Sequence, residues 1–234
     1  MTAAGVFTVR EEFGRMRAVV WKDLMAERRS KANLNAVVFL AVLMLVLFGF
    51  ALGPDASALR SAASGVLWLT ILFSGVLTFN RSYQLELEGE ALETLLLYPG
   101  ERWPIFLGKL IANLAFVFLV EVVVVPMAAV LYDVALWRVL LPVTVALALG
   151  TFGFVTLGTF YAAMASRVRA REVLLPLLLF PMLVPLLVAS VGATTALLAG
   201  NAMHDAGSWM RMLVAFDVIF FVAAMLAFEY VIEV

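Results

Sequence analysis

ANLNAVVFLAVLMLVLFGFALGP, residues 32–54, contains no charged side chain. A hydrocarbon core about 30 Å thick takes about 20 apolar residues of helix to cross. Only a helix or a closed barrel satisfies its own backbone N–H and C=O groups there. The stretch therefore predicts a transmembrane helix that Gly53-Pro54 stops. The rest of the 234-residue chain repeats the pattern, with 65% hydrophobic and 14% charged residues, against about 45–50% and about 25% in a soluble domain. Its mean hydropathy is +1.05. A net charge of −1 lacks the basic surface that nucleic acid demands. Cysteine is absent, which excludes disulfides, thiolate metal sites and a cysteine nucleophile.

Charge-free runs place six spans at Asn33–Leu52, Ser64–Asn80, Pro104–Leu131, Val139–Ser166, Val173–Ala199 and Met212–Ile232. The expected fold is an all-α integral membrane protein, with residues 33–232 as a six-helix transmembrane domain and both termini on one side. Lys and Arg concentrate in cytoplasmic segments. Seven lie before the first span, three follow the second (Arg81, Arg102, Lys109) and three follow the fourth (Arg167, Arg169, Arg171). The opposite loops hold one each, Arg60, Arg138 and Arg211. Thirteen of the sixteen basic residues thus place both termini in the cytoplasm and leave external loops of about 11, 7 and 12 residues.

Residues 1–32 carry charge up to Lys31 and so do not form a cleavable signal peptide, whose basic stretch is short. Phe13, Met16, Val20 and Leu24 recur at helical spacing while Arg15, Lys22 and Arg29 mark another face. This pattern predicts an amphipathic helix lying along the inner membrane surface.

One connection is long. Between the second and third spans, Arg81 to Trp103 holds Glu86, Glu88, Glu90, Glu93 and Glu101, with Leu92, Leu95 and Leu96 at i, i+3, i+4 spacing before Pro99. A short amphipathic helix at residues 85–98 is expected there. Anionic headgroups repel five glutamates, so its partner is a protein surface with basic residues.

Catalytic equipment is missing. A single histidine, His204, precludes a His-Glu-x-x-His zinc site, and no Gly-x-Ser-x-Gly elbow is present. Glu11-Glu12-x-x-Arg15 lacks the second histidine motif of an intramembrane protease. Gly100 and Gly108-Lys109 are wrongly spaced for a phosphate loop, and leucine follows the lysine. Inside the spans, Glu121 lies roughly 24 Å from the cytoplasmic end and Asp217 roughly 9 Å from the outside, by a rise of 1.5 Å per residue. Both fall in the outer half, where they could line one cavity, or be neutralised at a helix contact, with Arg211 as a partner for Asp217. Pro176, Pro181 and Pro185 suggest a bent or broken fifth span. Gly158, Ala162 and Ser166 form a small-residue stripe that admits another helix, within the chain or from a second copy.

With these residues in view, the chain resembles the membrane subunits of exporter-type ABC transporters. The Glu-x-Glu-Gly-x-x-Leu-Glu-x-Leu-Leu-Leu-x-Pro loop carries the likeness, including Gly89. Trp21-Lys22-Asp23-Leu24 with Glu27-Arg28-Arg29, and the Pro181-x-x-x-Pro185 segment, narrow it to the CcmB family of the cytochrome c maturation system. The resemblance implies a bacterial inner-membrane permease subunit, present in two copies, with no enzymatic activity or bound cofactor of its own. It implies a CcmA-like ATPase that binds ATP and receives residues 85–98 as a coupling helix, and CcmC, CcmD and the haem chaperone CcmE as further partners. Haem would be moved or delivered, or haem-loaded CcmE would be released with no haem crossing. Haem iron is usually held by His, Cys, Met or Tyr, and His204 beside Met203 is the one external candidate, more simply read as a solvated loop residue. Mechanical coupling is therefore favoured over a dedicated haem site. An exporter of a drug, lipid or glycan and a non-transporting scaffold are the remaining alternatives.

Overall fold

A helix in hydrocarbon extends until its backbone finds water or a side-chain cap, so apolar composition alone understates its length. The computed structural model describes residues 9–29, 31–88, 101–166, 171–200 and 204–233. Among them are α1 (Val9–Arg29), α2 (Lys31–Leu52), α3 (Ala56–Glu88), α4 (Trp103–Leu131), α5 (Leu140–Ser166), α6 (Arg171–Leu198) and α7 (His204–Glu233), with a 3₁₀ turn at Leu136–Arg138 before α5. Helices α2 to α7 are each long and apolar enough to cross a membrane. The protein is an all-α, multi-pass membrane protein.

Two helices start well before their apolar runs. Gly53 turns the chain with a left-handed φ of 75°, a conformation without steric cost only for glycine. Asp55 then caps α3: its Oδ1 accepts from the Ser57 N–H at 2.9 Å and from the Ser57 hydroxyl. These donors hold the Asp55 carboxyl below the usual carboxylate range. Helix α3 therefore begins at Ala56, not near Ser64, and Arg60 lies in the helix. Helix α7 similarly begins at His204, eight residues before Met212. The first expected external loop, of about 11 residues, shrinks to residues 53–55, and the last, of about 12, loses His204 to Arg211 to the start of α7. At its other end α3 continues past Asn80 to Glu88, because the polar residues after Asn80 are compatible with helix once it leaves the apolar layer.

Helix α5 lies at the centre, against α3, α4, α6 and α7. Its glycines permit this. A Cβ on Gly158 would fall 2.0 Å from Phe79 of α3, and one on Gly150 would fall 2.3 Å from Trp68. The fit is reciprocal, since a Cβ on Gly75 of α3 would meet Phe154 of α5 at 2.2 Å. Phe79 and Phe154 sit with ring centroids 5.0 Å apart. Trp68 Nε1 donates to Thr194 Oγ1 at 3.0 Å, which ties α3 to α6. The stripe that begins at Gly158 and Ala162 therefore packs within the chain. Helix α6 runs unbroken through Pro176, Pro181 and Pro185. Membrane helices tolerate such losses of backbone donors when neighbouring groups compensate.

Gly158→Val should force Phe79 out of its position. Overpacking of this kind costs about 1–3 kcal/mol, read as a lowered Tm in detergent, whereas Gly49→Ala, with open space around its Cβ, should leave the Tm unchanged. Equal Tm values for the two variants would rule out the close approach.

Candidate functional site

Residues 85–98, the expected coupling helix, are described only in part. Glu86 and Glu88 belong to the last turn of α3, while Gly89, Glu90, Leu92, Glu93, Leu95, Leu96 and Pro99 lie outside the described residues. The chain is described again from Glu101, and there it meets α1. Arg15 donates to the Glu101 carbonyl at 3.4 Å and pairs with Glu12 at 2.9 Å. Phe13 stands edge-on to Trp103 with centroids 5.8 Å apart. One turn further, Gly108 leaves room for Val19, whose Cβ would be 2.7 Å from a Cβ at that glycine. Lys109 is fully buried, its Nζ 3.3 Å from Asp23 Oδ2, and Lys22 approaches the other oxygen at 3.2 Å.

This arrangement adds a packing side to α1. Glu12 and Val19 are the buried residues, at 5% and 3% exposure, and they lie on one helical face with Met16 and Asp23. Of the expected stripe, Phe13 and Leu24 are exposed, as is Trp21. In a membrane protein an apolar face can serve lipid, and the protein-facing side is then free to carry paired charges. Lys109, counted as a loop charge, is an interior residue that anchors α1 to α4.

Glu121 and Asp217 are both buried, but they lie on different sides of α5. Thr151 donates its hydroxyl to Glu121 Oε1. Asp217 instead faces Gly153, where a Cβ would fall 2.3 Å from its Oδ1, with Leu186 and Phe216 alongside. Residues 151 and 153 point about 200° apart at 3.6 residues per turn. Neither oxygen of Asp217 has a hydrogen-bond partner among the described residues. Arg211, its expected partner, donates to Ser208.

The end of the bundle opposite α1 carries a cavity of about 890 Å³ between the start of α3, the α4–α5 connection and the end of α6. Arg60 binds both the side chain and, at 3.0 Å, the carbonyl of Asp133. That clamp holds Asp133 at a φ of 51°, in the left-handed region that a non-glycine residue adopts at some cost. Arg138 and Trp137, which is 79% exposed, also line the cavity. The sequence reading used Arg60 and Arg138 only to orient the chain. The signal it left unused is that two of just three basic residues on that side flank neighbouring spans. His204, expected in a loop, opens α7 instead.

Asp23→Ala should leave Lys109 buried without its carboxylate, at a cost of about 3–5 kcal/mol for one broken partner of a buried pair. The Tm should fall and trypsin should cut within α1 of the detergent-solubilised protein. Adding Lys109→Met should restore most of the Tm. A single variant as stable and as protease-resistant as the parent would exclude the anchor.

The family described as CcmB protein matches residues 15–234. "Heme exporter protein B" of Rhodobacter capsulatus is 34% identical over 179 residues, 74% of this chain and 79% of that protein. The proteins of the same name from Pseudomonas aeruginosa and Haemophilus influenzae are each 28% identical, over 80% and 73% of this chain and 83% and 76% of theirs. With an all-α architecture, six helices able to span and a family match over nearly its whole length, the chain belongs to the CcmB family.

Proposed function

We propose that this chain is the permease subunit of an ABC-type complex that couples ATP hydrolysis in a CcmA-like ATPase to haem export, or to release of haem-loaded CcmE, for the maturation of c-type cytochromes. The observation that carries the reading is the family match together with relatives named as haem exporters along most of their length. Both termini face the cytoplasm in this reading, because thirteen of sixteen basic residues fall in the N-terminal segment and in the connections after the second and fourth spans. CcmC and CcmD complete the assembly, and two copies of the chain serve one pair of ATPase subunits in the bacterial inner membrane. Haem is substrate here, and ATP is bound by the partner.

Residues 85–98 are the coupling element. Their acidic residues, Glu86, Glu88, Glu90 and Glu93, offer charge to a basic groove, and Leu92, Leu95 and Leu96 offer an apolar stripe. The geometry beside this segment supports the role. Glu101, three residues past it, is held by Arg15, and the following turns of α4 are joined to α1 through Gly108 and Lys109. A push delivered through the segment would reach α1 and α4 together.

Deletion of the gene should abolish c-type cytochromes, with drug and glycan export intact. Loss of drug, lipid or glycan export with normal c-type cytochromes would identify a different cargo. Charge reversal at Glu86, Glu88 and Glu93 should abolish co-purification of the ATPase while the protein still inserts. If the reversed protein retained both its ATPase and its activity, a scaffold role would be favoured instead.

A further inference from the structure

The cavity opposite α1 lies remote from the coupling element, and its lining has a definite chemistry. Three charged side chains border it: Arg60, Asp133 and Arg138. Arg60 and Asp133 neutralise each other. Arg138 has no ion pair or side-chain hydrogen bond among the described residues, so the lining keeps one uncompensated cation. Beside it Trp137 presents an exposed ring, while Val130, Val134 and Leu198 supply an apolar wall. The volume, about 890 Å³, lies within the range of small-molecule sites, about 300–1,000 Å³.

We propose that this cavity is a binding site for an anionic amphiphile. Arg138 receives its carboxylate or phosphate through charge-assisted hydrogen bonds, and Trp137 with the apolar wall covers its hydrophobic body. The wall is anchored for this purpose. The Arg60–Asp133 clamp sets the turn that leads into the 3₁₀ segment carrying Trp137 and Arg138. Among the described residues the lining contains no His, Cys, Met or Tyr, the usual ligands of haem iron. The described lining therefore suits the acidic periphery of a ligand. Two sources share that chemistry, an anionic lipid headgroup and a porphyrin with free carboxylates.

Native mass spectrometry of the full chain in neutral detergent tests the site with four probes: protoporphyrin IX, its dimethyl ester, phosphatidylglycerol and phosphatidylcholine. An Arg138-dependent adduct with protoporphyrin IX but not its ester indicates the porphyrin source. An adduct with phosphatidylglycerol but not phosphatidylcholine indicates the lipid. For either acidic probe Arg138→Gln should weaken binding about tenfold, the effect of losing a hydrogen bond to a charged group, and Trp137→Ala should weaken it further. Arg138→Lys should retain part of the affinity. Arg138 is exposed, so the variants should keep the parent Tm. Equal binding of the acidic probes by parent and Arg138→Gln, or no preference of the parent for the acidic over the neutral member in either probe pair, would overturn the proposal. These outcomes are independent of the cytochrome phenotype, which tests the cargo and not the site.

Discussion

Close approach to α5 is the constraint on which the bundle depends. Lipid tails are as apolar as leucine, so burial of apolar surface does not drive spans together, and contact must come from shape and hydrogen bonds. Gly150, Gly153 and Gly158 remove side-chain volume where Trp68, Asp217 and Phe79 arrive, and Gly75 of α3 returns the arrangement for Phe154. These contacts come from two other helices, α3 and α7, and α5 is enclosed while α2 is not: 56% of its apolar window is buried, against 17% for α2. The peripheral helices present Phe39, Phe50 and Leu226 outward, as a lipid-facing surface requires.

The spans were legible because a charge-free run of about twenty residues has few alternatives to a membrane helix. Their ends were less so. Hydropathy marks where apolar residues stop, whereas the helix stops where its backbone is capped, and for α3 the cap is Asp55, nine residues before the expected start at Ser64. The packing side of α1 was not legible for a related reason. Periodicity finds an apolar stripe but does not say whether protein or lipid covers it. The side that packs carries Glu12 and Asp23, and the explanation for Asp23 is Lys109, 86 residues away. No local pattern contains that pairing.

The intramembrane carboxylates show the same limit. Rise per residue placed Glu121 and Asp217 at similar depth, but a shared site also requires a shared direction. That direction depends on which helix stands between them, and α5 does: Thr151 meets one carboxylate and Gly153 the other. Two acids at one height are therefore two environments. Glu121 has a hydroxyl donor, and Asp217 has no hydrogen-bond partner among the described residues. The cavity near Arg138 was illegible for the complementary reason, since its walls come from three segments that only the fold brings together.

Helix α4 links these separate features. Its first turns hold α1 through Gly108 and Lys109, its middle carries Glu121 against α5, and its last turn, with Ala129 and Val130, walls the cavity. Beyond it, Tyr132 donates to the Leu45 carbonyl of α2 at 2.9 Å, so the far end is fastened as firmly as the near one. A rigid rod fastened at both ends transmits little, but α4 contains Pro126. Proline removes the hydrogen bond to the carbonyl four residues earlier, which here is that of Val122. The compliant point thus falls between Glu121 and the cavity wall. In the proposed coupling, a push beside Glu101 would act on the segment from Trp103 to Glu121 with α1 attached, and the backbone hydrogen bond lost at Pro126 is where the helix would yield before the turn that holds Asp133.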